Sequence, residues 1–377
     1  MEQTQTHKKD TSEATPTVAI LGAGHQGHAF AAYLGLQDVD VTIVNRSESK
    51  VNAIQDSGGI AVTGVFEGFV PLDPSQVTTD VATGIEHCDI IIVAVPGYGH
   101  EYFIDELVGA ATDDQIIIVP TDNYASLRFR RKLVADLGSN FTVAGAAISP
   151  FPGLSDEPGL VDMHGAKETV PLASIPARET ESVAARLNSL FNPATTFTPA
   201  DSVFEVNLQN LNPYMHSAIN LLNLARIDAE DEWLYYGEGC TPAVERVVSA
   251  IDDERRAVGE ALGIELDPLR DLVAEMYQES VTGDSIVEML SESPVHRSLP
   301  GPTDLGHEYL TEDVPYGLVP LASLSRHLDL PCPTLESTIH ILSTAAGTAF
   351  AEQGITTTEL GIAEMDRAEL RAIGSTK

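Results

Sequence analysis

Lysine is nearly missing from this chain. Six of its 377 residues are lysine, and none lies between Lys167 and Lys377. Basic residues number 21 against 56 acidic ones, for a net charge of -35. Without basic patches the chain cannot neutralise a phosphate backbone, which excludes nucleic acid as a partner. Cysteine is scarce as well. Cys88, Cys240 and Cys332 are odd in number and far apart, which argues against a disulfide framework and a zinc site, so no metal is expected. No apolar run approaches the roughly 20 residues of a membrane span. The opening "MEQTQTHKKDTSEATP" has no apolar core of a signal peptide. The expected location is therefore the cytoplasm, away from membranes. So large an acidic excess repels itself. At 1 M salt the screening length shrinks to roughly 3 Å, so the composition reads as adaptation to a salt-rich cytoplasm.

What is present suits two domains. Residues 1–16 read as a disordered polar tail. Over 17–200 strand and helix alternate. "TVAILGAGHQGHAFAAYLGLQ" (17–37) is a strand, a glycine turn and a small-residue helix, and "DVTIVNR" (40–46) is a second strand. Continuous apolar runs at 88–96, 114–121 and 140–149 suit strands buried on both faces of a parallel sheet, with a later extended piece at 167–176. Helical patterns fall at 100–111 and 124–137. This is the pattern of a doubly wound, Rossmann-type α/β domain. From 201 to 377 strand-like runs vanish. Helical periodicity appears at 204–226, 241–262, 267–279, 318–328 and 333–351, predicting an all-α second domain.

Gly22, Gly24 and Gly27 form G-x-G-x-x-G directly after the first strand. The first glycine permits the tight turn, the second lets backbone approach a pyrophosphate, and the third lets helix and strand pack. The helix then offers free N–H groups to the phosphates, which places His25 and Gln26 at the cofactor as well. Where an NAD site commonly puts a carboxylate on the ribose, this chain has Asn45-Arg46-Ser47. Arginine can pair with a 2′-phosphate, which favours NADP; an arginine stacked on adenine would instead leave NAD in play. Pro96, closing the third apolar run, completes the expected cofactor contacts.

In "LNPYMHSAIN" (211–220) polar residues interrupt an apolar run. Asn212, His216 and Asn220 are four residues apart and Asn223 follows, so they share one helical stripe. Buried polar groups need partners or a ligand. Either Asn212 caps a helix with Pro213 in its first turn, or one helix from 204 kinks at Pro213. A lone histidine is commonly a core residue. Beside a nicotinamide domain, at the entry to a second domain, it is a candidate acid/base. Further on, Glu308, Glu312 and Asp313 crowd before Pro315. A carboxylate there could orient the imidazole, although the pattern alone reads as an acidic helix start.

Together "LGAGHQG", "NLNPYMHSAINLLN", "EWLYYGEGCTPAVERVVSAIDDERRAVGEALG" and "YLTEDVPYGLVP" resemble the opine dehydrogenase family of octopine and nopaline type. The resemblance implies a Rossmann domain with a helical partner, and the NAD(P)H-dependent reductive condensation of an amino acid with a 2-oxo acid through an imine. It implies His216 as acid/base and Asp313 as its partner, with Asn210 and Asn212 beside the substrates. Small molecules are the expected partners, and a homodimer is compatible with them. Where many members carry an arginine before the last segment, this chain has Glu308. A substrate carboxylate then needs another anchor, with Arg297, His307 and Arg128 as candidates. Related two-domain enzymes, such as ketopantoate reductases, use a lysine of the helical domain, which this chain lacks. A non-catalytic NADP sensor is the other alternative.

Overall fold

The computed structural model describes residues 15–137, 141–276, 283–294 and 296–373. The tail expected over 1–16 therefore lies almost wholly outside the described residues. Eight strands form one sheet in the spatial order Thr196–Pro199, Thr169–Ile175, Thr142–Ala146, Ile116–Val119, Ile90–Val93, Val18–Leu21, Val41–Val44, Val77–Thr78. Neighbours run parallel, except that Thr169–Ile175 lies antiparallel to Thr142–Ala146. Val18–Leu21, Ile90–Val93 and Ile116–Val119 are buried at every position, because helices cover both faces. The strand order reverses between Val18–Leu21 and Ile90–Val93. Such a switch point opens a crevice at the carboxyl ends of the strands.

A second sheet, in the order Gly68–Pro71, Gly59–Gly64, Leu160–Met163, Gly153–Leu154, packs outside the helix His25–Leu36. Its strands are short and glycine-bounded, and they carry no long apolar run that would announce them.

Beyond Pro199 the described residues form helices joined by loops, with one isolated bridge between Leu234 and Pro300. The single helix expected over 204–226 is two, Val203–Leu208 and Asn212–Asp228. Pro213 lacks an N–H and fits a first turn, so the chain restarts there and no long kinked helix forms. Asn212 is the first helical residue rather than the cap, and its N–H donates to Asn210 Oδ1 (3.2 Å). The helix expected over 267–279 is seen as Leu269–Met276, and its last three positions lie outside the described residues. The helix expected over 333–351 stops at Ala346, because Gly347 takes φ 62° and ends it. Val319–His327 is preceded by one π-helical turn, Val314–Leu318, with Asp313 at its entrance. Tyr214, Met215 and Ile219 share a core with Val248 and Leu335, and also with Ala173 and Ile175 of the sheet. The two halves therefore meet through a packed seam.

Candidate active site

The glycine turn is built as its spacing requires. Gly22 takes φ 114°, and a side chain there would strike the Ala94 carbonyl. One on Gly27 would collide with the Gly22 carbonyl, whereas one on Gly24 would meet nothing within 4 Å. The open side at Gly24 faces a cavity of about 280 Å³, lined also by Asn45, Arg46, Ser47, Lys50 and Pro96 and by no carboxylate. Arg46 and Lys50 are exposed at its rim. Buried Asn45 braces the turn from within, its Oδ1 accepting the Ala23 N–H at 3.1 Å. His25 and Gln26 do not line this cavity. The His25 ring accepts the Ser155 N–H (2.7 Å), tying helix to small sheet. His28 does the same from inside, donating to the Gly24 carbonyl (3.0 Å) and accepting from Gly159 (3.1 Å). Burial pushes its pKa down, so it stays neutral.

At the seam the polar stripe finds its partners. His216 Nδ1 donates to Asp313 Oδ2 at 2.7 Å, and both residues are 6% exposed. The carboxylate fixes the tautomer, so Nε2 faces the Tyr236 hydroxyl at 3.0 Å. Tyr309 lies against the imidazole with ring centroids 4.1 Å apart, and the Tyr235 hydroxyl donates to the His216 carbonyl (3.3 Å). Asn220 donates to the Tyr309 carbonyl (3.1 Å) and Asn223 to the Gly239 carbonyl (3.1 Å). The stripe thus clamps its helix to the loops that carry these tyrosines. Asn210 donates to Asn123 Oδ1 at 2.8 Å, and Asn212 is partly exposed beside it.

The next carboxylate faces the other half. Glu312 accepts the Gly97 N–H through both oxygens (2.8 and 3.0 Å) and the Asn123 amide (3.1 Å). It caps the helix that begins after Pro96. Burial, then the neighbouring Asp313, pushes its carboxyl up to about 8. Glu308 is exposed on the turn before. Of the three candidate anchors, Arg128 pairs through Nη2 with the exposed Glu101 (2.8 Å) while its Nη1 is buried without a hydrogen-bond partner, His307 Nδ1 accepts the Tyr309 N–H (3.2 Å), and Arg297 is exposed. Sequence reasoning assigned no role to Tyr236, although its "WLYYGEGC" segment was conspicuous. It also missed His296, whose ring meets Tyr236 at 5.3 Å. No local pattern marks these residues, because the seam assembles them from separate loops.

A dinucleotide-type glycine turn facing a helical half, with a buried His–Asp pair at the seam, defines a nucleotide-dependent oxidoreductase. The chain is similar to the opine dehydrogenases along most of its length. The model for the α-helical domain of NAD/NADP octopine/nopaline dehydrogenase matches residues 199–346, and that for ketopantoate reductase PanE/ApbA matches residues 18–174. An opine dehydrogenase of Arthrobacter sp. (strain 1C) is 29% identical across 94% of this chain and 98% of its own. The octopine dehydrogenase of Mizuhopecten yessoensis is 22% identical across 91% and 93%. Among solved structures, octopine dehydrogenase with NADH and L-arginine shares the fold at TM-score 0.80 and 18% identity, across 94% of this chain and 98% of that one. Yersinopine dehydrogenase with NADP+ shares it at TM-score 0.72 and 16% identity, across 95% and 97%.

Proposed function

We propose that this protein condenses an amino acid with a 2-oxo acid and reduces the product, with His216 as acid/base, Asp313 as its positioning partner, and NADPH preferred to NADH. The observation that carries the reading is the buried chain Asp313–His216–Tyr236, joined at 2.7 and 3.0 Å. Similarity to the opine dehydrogenases supports the reaction class. The dinucleotide supplies hydride when bound.

The amine of one substrate adds to the carbonyl carbon of the other. The carbonyl oxygen then departs as water, taking a proton that protonated His216 delivers from Nε2. Reduction of the resulting iminium to a secondary amine would then require no further proton from His216. Asp313 holds the ring so that Nε2 points at the reacting oxygen, and it stabilises the imidazolium. The Tyr236 hydroxyl occupies the Nε2 position that a substrate oxygen would take. Tyr309 and Tyr235 shield the ring from water.

Cofactor preference rests on the cavity rim. Arg46, Ser47 and Lys50 stand at the end of the second strand with no carboxylate among the lining residues. Two cations and a hydroxyl suit a 2′-phosphate. In molar salt, NADPH is expected to bind more tightly than NADH, and Arg46→Ala to weaken NADPH selectively. Equal affinity in titrations of both would refute the preference.

For the reaction, His216→Ala is expected to lower kcat about 10²–10⁴-fold while NADPH affinity stays near wild type. Turnover within a few-fold of wild type would remove His216 from the mechanism. A wild-type protein that binds NADPH yet turns over no amino acid and 2-oxo acid pair would instead be a cofactor sensor.

A further inference from the structure

The seam around the dyad is crowded with acids. His307, beside it, feels Glu308, Asp313 and Asp304, and Glu312 feels Asp313 and Glu308. A carboxylate substrate entering such a field needs a cation. His307 is engaged with the Tyr309 N–H, Arg297 is exposed, and Arg128 is tied through Nη2 to Glu101 with only Nη1 unpartnered.

Lys167 is differently placed. It lies two residues before Thr169–Ile175, the strand antiparallel to its neighbour Thr142–Ala146, and so it stands at the carboxyl end of the parallel strands. Its ammonium donates to the Ser149 carbonyl at 2.9 Å. The Ser149 N–H donates to the Thr121 hydroxyl (2.9 Å), and two residues on, Asn123 reaches Asn210 and Glu312. From the helical half His296 packs on Tyr236, the partner of His216. Burial, and then the charges of Lys167 and His216, hold His296 down to about 4. Among the described residues no carboxylate lies within ion-pair reach of Lys167. The Ser149 hydroxyl, in a residue only 6% exposed, has no hydrogen-bond partner.

We propose that the Lys167 ammonium and the Ser149 hydroxyl receive a substrate carboxylate at the seam, so that the anchor comes from the dinucleotide-binding half. This rests on the reading above that the substrates are an amino acid and a 2-oxo acid. An ammonium has three donors, and one is engaged with the Ser149 carbonyl. Two remain for an incoming carboxylate, and the hydroxyl can add a third bond. Lys167 is partly buried, and loss of water holds it down to about 8, as befits a cation standing without its anion.

The test uses the full chain in molar salt with saturating NADPH, pyruvate as the 2-oxo acid, and L-amino acids one at a time. Lys167→Met is expected to raise one substrate's KM about 10- to 100-fold, the loss of a charge-assisted hydrogen bond. The other KM and the NADPH dissociation constant should stay within a few-fold. A rise for pyruvate assigns the site to the oxo acid, and a rise for the amino acid assigns it to that carboxylate. Ser149→Ala should raise the same KM by less. Both KM values unchanged in Lys167→Met would overturn the proposal.

Should Lys167→Met fail to fold, wild type is acylated at its amines with and without each substrate. With six lysines in the chain, mass spectrometry reads Lys167 separately. Protection by one substrate is expected, and equal labelling in every condition overturns the assignment. A wild type inert toward every pair tested strikes down the reaction reading, and this proposal with it, whereas turnover without a Lys167 effect strikes down the anchor alone.

Discussion

Glu312 and Asp122 tie local chemistry to the stability of the whole. Burial lifts Glu312 to about 8 and Asp122 to about 6, although each accepts hydrogen bonds across the seam or beside it. Both folded values lie above the unfolded ones, so the folded chain binds more protons than the unfolded chain between roughly pH 4 and 8. Their contribution to stability is present in full below that window and is lost as pH rises through it. Denaturant midpoints measured from pH 5 to 8 should therefore fall with pH, and less steeply in Glu312→Gln, which keeps a neutral acceptor for Gly97 and Asn123. An identical slope in the variant would mean that other groups govern the pH response.

Among the elements, Pro242–Leu262 is the one on which the helical half hangs. Arg255, 0% exposed, bonds Asp252 at 2.8 Å, the Leu208 carbonyl at 2.8 Å and the Asp267 carbonyl, stitching three segments together. Arg255→Ala would leave Asp252 buried without its cation. It should cost about 3–5 kcal/mol in urea denaturation, far more than an exposed pair such as Arg226–Glu238 would. That helix was legible in the sequence, as were the main strands and the glycine turn, because apolar period and turn chemistry are local signals. The small sheet was not, since its strands are too short to show a period. The split at Leu208–Asn212 turned on whether Pro213 starts a helix or bends one, which pattern alone left open. In the site, His216 showed through its stripe, but Asp313 lies 97 positions away and was singled out only through family resemblance. Tyr236 stood in a conspicuous segment without a role of its own, and His296 and Lys167 carry no local pattern. They matter because an antiparallel strand and two loops end at one seam.

For the whole molecule the decisive quantity is charge. Twenty-one basic residues cannot pair with 56 acids, and most of the ion pairs seen are exposed ones, as between Lys132 and Asp105. Pairs of that kind contribute about 0–1 kcal/mol each and do not compensate a net charge of -35. Self-repulsion must then be screened by the solvent. Circular dichroism followed while potassium chloride is diluted from molar to millimolar should show loss of helix, with recovery when salt is restored. A spectrum unchanged throughout would place the acidic excess outside the requirements of folding. No helix among the described residues is long and apolar enough to cross a membrane.

The π-helical turn after Asp313 sets a phase. It holds one residue more than an α-helical turn, which offsets what precedes it by about 100° around the axis of Val319–His327. Glu312 and Asp313 both precede the turn, so the offset sets their common direction relative to Val319–His327, from which Asp313 reaches the imidazole and Glu312 the helix cap of the other half. Straightened into regular helix, the same segment would gain one ordinary backbone bond and swing both acids away from what they hold. The His216–Asp313 pair therefore depends on a fault in a helix, and the length of Val314–Leu318 is a constraint on that pair alongside the identity of Asp313.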